Sequence, residues 1–131
     1  MKITVDTNVL IRAVVRDDEK QAKAAAAILR AEVIAVTLPC LCEFVWVLRR
    51  VYRFGPADIA AALEALFDAA NVVVNRPAAE AGLAVLKAGG DFADGLIAYE
   101  GSWLGADTFV SFDKQAVRLI AGQGCPARLL A

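Results

Sequence analysis

Short β-branched runs alternating with longer helical stretches constrain this chain more than any other feature. Residues 2–6, 33–37, 72–75 and 108–112 read as strands, with a weaker one at 127–130. Between them, 8–16, 19–31, 39–53, 56–70, 77–88, 92–104 and 114–121 carry helical patterning. Local punctuation agrees. Asp18 fits an N-cap and Pro39 a first helical turn, while Gly55-Pro56 and Arg76-Pro77 each close one element and open the next. Gly89-Gly90, and Gly122 with Gly124, suit helix ends. Strands that are apolar almost throughout and separated by helices predict an α/β fold. Its central parallel sheet of four to five strands would be covered by helices on both faces, giving three layers, α/β/α. The 131 residues show no repeat and no low-complexity linker, so residues 1–131 are expected to form a single domain.

Composition narrows the function classes. Hydrophobic residues make up 59% of the chain, which excludes disorder. Apolar stretches are broken by charge before they reach the roughly 18 residues of a membrane span, and "MKITVD" lacks a signal-peptide core. A soluble, cytoplasmic protein is expected. The net charge of −1 offers no global basic field for nucleic acid, so any such contact must come from local arginines. Cys40, Cys42 and Cys125 are few and odd in number, which suits a reducing compartment. Cys40 and Cys42 stand two apart in a helical stretch, roughly 200° around its axis, so they read as small packed thiols rather than joint metal ligands. The absence of histidine removes Ser-His-Asp and Cys-His machinery, His-bearing zinc sites and the usual neutral-pH proton shuttle.

Parallel sheets take their ligands outside the carboxyl ends of the strands. That rule singles out the acids found there. Asp6 closes the first run, and Asp113 in "TFVSFDKQ" repeats its context: an apolar run, an acid, then a helix. Glu43 lies in the second turn of the helix after the second strand, where Pro39, Cys40, Trp46 and Val47 provide no basic partner. Asp91 and Asp94 stand three apart at a helix start. Each acid has a structural alternative. Asp6, Asp113 and Asp91 could serve as helix caps, and Glu43 could face solvent on a stripe with Arg50. Asp94 adds like charge on the same face just inside its helix, so capping accounts for it less readily. Acids converging on one edge repel one another, and so need a divalent cation or shifted pKa values. All-oxygen donors without histidine or thiolate favour Mg²⁺ or Mn²⁺, and acidic clusters holding such ions activate water in many nucleases.

"VDTNVLIRAV", "LCEFVWVLRRVY", "DFADGLIA" and "FVSFDKQA" resemble, in order and spacing, the motifs of PIN-domain ribonucleases. More closely, they are similar to the VapC-type toxins of bacterial toxin–antitoxin pairs. The resemblance covers essentially the whole chain and implies a PIN-like, Rossmann-like fold. It also implies that Asp6, Glu43, Asp94 and Asp113 hold one or two Mg²⁺ or Mn²⁺ ions for phosphodiester hydrolysis. Asn8 matches a polar residue that steadies the site behind the first acid, with Thr7 beside it as a capping residue. Ser111 stands where the family has a Thr or Ser, and Asp91 matches an acid one turn before the third catalytic one. Gly95 replaces a more usual Ala, and together with Gly101 is expected to loosen its helix by under about 1 kcal/mol.

The expected activity is therefore metal-dependent endoribonuclease action, which needs no side chain of neutral pKa because a metal lowers that of bound water. Arg12 and Arg16, four apart on the helix after Asp6, and Arg49, Arg50 and Arg53 further on are candidate phosphate contacts, or else solvated helix ends. The stretch "WVLRRVYRFGPADIAAALEALF" is a candidate exposed patch for a homodimer, or else core. The resemblance implies that homodimer and a small antitoxin whose tail covers the acidic groove. Rival classes fit less well. Response-regulator receivers want two adjacent acids after the first strand, and aspartyl phosphatases want Asp-x-Asp, where this chain has Asn8. A non-catalytic PIN-like module that binds RNA or protein is the other alternative, and loss of an acid would signal it.

Overall fold

The computed structural model describes every residue from Met1 to Ala131. The chain divides into two compact units, Met1–Asn75 and Arg76–Ala131. In the first, β1 (Lys2–Thr4), α1 (Thr7–Val14), α2 (Glu19–Ala31), β2 (Val33–Ala35), α3 (Leu38–Arg50), α4 (Pro56–Asp68) and β3 (Val72–Val73) follow in order. In the second come α5 (Arg76–Lys87), α6 (Phe92–Trp103), β4 (Phe109–Ser111), α7 (Lys114–Gly122) and β5 (Ala127–Leu129). All the expected helices and strands are present, and the α/β class is borne out.

The strands sort differently from a single sheet of four to five. β1, β2 and β3 form one parallel sheet in that order, with Ile3 opposite Ile34 and Ala35 opposite Val73. β4 and β5 form a separate parallel pair, Val110 opposite Arg128. Each strand is also shorter than its apolar run, and β1, β2, β3 and β4 each give way within a few residues to a helix. In the first run the ladder stops at Thr4, leaving Val5 and Asp6 outside it.

Helix starts are set locally. Asp18 accepts the Gln21 amide at 3.0 Å and Thr37 the Cys40 amide at 3.3 Å. Pro56 enters α4 at the first turn, where its missing N–H costs nothing. The carbonyls left over at the end of α2 find Asn71, whose side-chain amide donates to Leu29 O at 2.6 Å and Glu32 O at 2.7 Å. That pair of bonds ties the helix end to the segment leading into β3.

The first unit buries Ile34, Leu41, Phe44, Leu48, Ile59 and Leu63. Each large apolar side chain withdrawn from water contributes about 1.5–3 kcal/mol. The apolar residues of α3 and α4 thus mostly fill a core and do not form an exposed patch. Trp46 and Val51, 59% and 58% exposed, are the large hydrophobic residues left exposed on that stretch. In the second unit Val85, Leu119 and Ile120 pack with Ala98, and Phe109, Cys125 and Ala127 lean on them.

One glycine of α6 has a packing role as well. A Cβ on Gly95 would run into the Ala81 carbonyl and lie 2.7 Å from Gly82 Cα. A Cβ on Gly82 would in turn sit 2.8 Å from the Phe92 ring. Gly95 is therefore the contact that lets α5 and α6 approach, which outweighs its lower helix propensity. Gly101 has open space and fits the original reading.

Candidate functional site

The first unit brings Asp6 and Glu43 to one place. Asp6 occupies the N-cap of α1 with extended backbone, φ −73° and ψ 156°. Its Oδ1 accepts the amide of the adjacent Thr7 at 2.7 Å, whereas a conventional cap bonds the second or third amide of the helix. Asp6 is thus held by the helix start without being consumed in capping it. Thr7 is buried, at 7% exposure, and its Oγ1 donates to Glu43 Oε1 at 3.1 Å. Glu43 itself is exposed on α3. The structural alternative for Glu43, a solvated stripe residue, is therefore half right: it meets water, yet a buried hydroxyl from another helix fixes it.

Cys40 lies beneath this pair. Its Sγ is 3.6 Å from Thr7 Oγ1 and 3.9 Å from the Val5 carbonyl. Burial pushes the Cys40 thiol above its ordinary pKa, the Thr7 hydrogen bond lowers it, and the charges of Glu43 and Asp6 raise it further. Asn8, exposed on α1, lines a groove of about 500 Å³ with Val9, Arg12, Gln21, Ala24, Ala25 and Ile28.

The second unit gathers Asp91, Asp94 and Asp113. Asp91 caps α6 by accepting the Ala93 amide at 3.1 Å. Asp113 caps α7 more fully, its Oδ1 taking the amides of Gln115 at 2.9 Å and Ala116 at 3.1 Å. Ser111 Oγ accepts the Asp113 amide at 3.0 Å, so it braces the backbone that presents this acid. Asp94 follows in the first turn of α6. Its carboxyl is pushed above the usual range by partial burial, then by the neighbouring charges of Asp91 and Asp113. The helix dipole favours a carboxylate at that position, but desolvation and like-charge repulsion outweigh it.

Among the arginines, Arg12 is already occupied. It donates from Nε to Gln21 at 2.8 Å and from Nη1 to Asp17 at 2.9 Å, and lies 3.3 Å from the Tyr52 hydroxyl. Arg16 does not share its helical face, because α1 ends at Val14 with Val15 as C-cap. Arg49 and Arg50 are exposed in the last turn of α3, and Arg53 follows in the left-handed region at φ 58°. Sequence reasoning missed Tyr52 and the Thr7–Glu43 bond. The latter joins residues 36 apart and had no local signal.

Carboxylates are the only donor type these clusters offer a cation, which fits a hard ion. No group of three or more acidic or thiol side chains is, however, disposed to hold a metal. Acids gathered at helix starts beside short parallel strands mark an α/β protein. The PIN domain model matches residues 3–120, and the chain belongs to the PIN domain family, a superfamily of nucleases. No curated protein matches it.

Proposed function

We propose that residues 1–131 act as one domain, a divalent-metal-dependent endoribonuclease of VapC type, the toxin of a bacterial toxin–antitoxin pair. The observation that carries this reading is the gathering of Asp91, Asp94 and Asp113 at the starts of α6 and α7, where partial burial and then the neighbouring charges push the Asp94 carboxyl above its usual range. Family membership supports nuclease chemistry generally. The ribonuclease, toxin and metal assignments extend it. No helix is long and apolar enough to cross a membrane, which is compatible with work in the cytoplasm on RNA.

Asp6, Asp94 and Asp113 would hold Mg²⁺ or Mn²⁺, with Glu43 completing the set. When bound, such an ion supplies water of lowered pKa and positive charge opposite the phosphate. Asp6 is presented by its bond to the Thr7 amide, and Asp113 by its two cap bonds together with Ser111. Glu43, steered by Thr7, orients the attacking water and accepts its proton. Water adds to phosphorus, one bridging P–O bond breaks, and the departing oxygen takes a proton from solvent, to which Glu43 returns the one it accepted. Arg49, Arg50 and Arg53 are the arginines available for phosphate contact, which sets affinity and salt dependence but not sequence choice. A homodimer and a small antitoxin are the proposed partners.

Cleavage of RNA by sub-stoichiometric protein tests this reading. It should require Mg²⁺ or Mn²⁺, stop with chelator, and fall by at least about 100-fold in Asp6→Asn. A folded Asp6→Asn chain that cuts at the wild-type rate would remove Asp6 from the site. Cleavage that ignores chelator would remove the metal.

A further inference from the structure

Thr7 makes two hydrogen bonds whose combined effect goes beyond either. Its backbone N–H donates to Asp6 Oδ1 at 2.7 Å, and its side-chain hydroxyl donates to Glu43 Oε1 at 3.1 Å. One residue therefore grips two carboxylates that arrive from different elements, one from the residue before α1 and one from the second turn of α3. Thr7 is also buried, whereas both acids are exposed. Buried at the start of α1, it has little freedom to reorient, while a solvated glutamate left to itself samples several rotamers.

The hydroxyl carries a single proton, and two acceptors lie within reach, Glu43 Oε1 at 3.1 Å and Cys40 Sγ at 3.6 Å. A charged carboxylate outcompetes a neutral sulfur, so the proton points to Glu43. Cys40 then serves as the other wall. Its own thiol donates to the Val5 carbonyl at 3.9 Å, and its bulk lies against the Thr7 side chain.

We propose that Thr7 is a positioning residue that sets the Glu43 carboxylate against Asp6 through its hydroxyl. The geometry stands by itself, and the catalytic consequence rests on the nuclease reading above. Removal of partners that orient a ligating carboxylate typically costs 10–100-fold in metal affinity or activity.

Thr7→Val keeps the branched shape and deletes the donor, and Thr7→Ser keeps the donor and deletes a methyl group. Glu43 is exposed, so water can replace the lost bond and Thr7→Val should fold. The primary measurement is the set of Glu43 side-chain NMR couplings in the metal-free protein. Wild type and Thr7→Ser should show one dominant Glu43 rotamer, and Thr7→Val an averaged set. With Mn²⁺ and RNA, Thr7→Val should then lose roughly 10–100-fold in kcat with KM little changed, and Thr7→Ser should recover most of that loss. A single fixed Glu43 rotamer in Thr7→Val, or equal losses in both variants, would overturn the proposal. A wild-type protein that neither binds Mn²⁺ nor cuts RNA would sink the nuclease reading instead, and the coupling data would still decide the role of Thr7.

Discussion

At the scale of single residues, capping and site-building are separable functions of one acid. Asp113 Oδ1 takes two amides of α7, so the side chain holds the helix start whatever else it does. Asn keeps an acceptor oxygen at that position, and Ala keeps none. Asp113→Asn should therefore retain the thermal stability of the native chain to within about 0.5 kcal/mol while losing metal-dependent cleavage. Asp113→Ala should lose cleavage and about 1 kcal/mol of stability besides. Equal stability in the two variants, read by denaturant titration, would mean that the cap does not matter. Asp94 gives a pH signature. Its folded pKa is raised above the ordinary 3.8 by burial, Asp91 and Asp113. The folded state therefore binds this proton more tightly than the unfolded chain does. Stability from this group is lost as pH rises from the unfolded value through the folded one, and above that window the destabilisation is complete. In metal-free protein, Asp94→Asn should raise the melting temperature at neutral pH, and this advantage should vanish on acidification below the ordinary value. An advantage that grows on acidification would contradict the direction of the shift.

At the scale of elements, α6 depends on two glycines in opposite ways. At Gly95 an added Cβ meets Ala81 and Gly82 backbone, which cannot yield as a side-chain tip can. Alanine improves helix propensity by about 1 kcal/mol there, but overpacking costs about 1–3 kcal/mol. Gly95→Ala should be net destabilising by up to about 2 kcal/mol, and the displaced α6 start should weaken cleavage through Asp94. Gly101→Ala meets nothing closer than Ala106 Cβ at 4.0 Å, so it should stabilise by up to about 1 kcal/mol. Parallel melts of the two variants would show opposite signs, and like signs would refute the packing argument. The same contrast marks what was legible in the sequence. Helix starts were, because Asp18, Asp91 and Asp113 accept amides within a turn of themselves and Pro39 and Pro56 fit first turns. The identity of Gly95 was visible, but its purpose depends on α5, more than ten residues earlier, and no local pattern encodes that distance. The grouping of strands into three and two escaped for a related reason. Near-continuous apolar runs mark burial, but the residues that choose each partner strand lie far apart in sequence. Among the site residues, the acids stood out at strand ends and helix starts. Thr7 was noticed for its place beside Asp6, but its hold on Glu43 was beyond local inference.

At the scale of the whole molecule, the proposed function asks more of the chain than its two compact units separately provide. No group of three or more metal-binding side chains is assembled in the chain. If the proposed ion is held by Asp6, Glu43, Asp94 and Asp113, its binding energy should appear as stability of the chain. If residues 1–131 form one domain, calorimetry should give one transition whose calorimetric and van't Hoff enthalpies agree. Mn²⁺ at 100 times its dissociation constant should then stabilise that transition by about 2.7 kcal/mol, and chelator should reverse the gain. Asp6→Asn and Asp113→Asn should each abolish most of the gain, since each removes a ligand drawn from a different unit. Two transitions, with Mn²⁺ shifting only the one sensitive to Asp113, would instead assign the ion to the acids of the C-terminal unit, and the four-carboxylate site would fail.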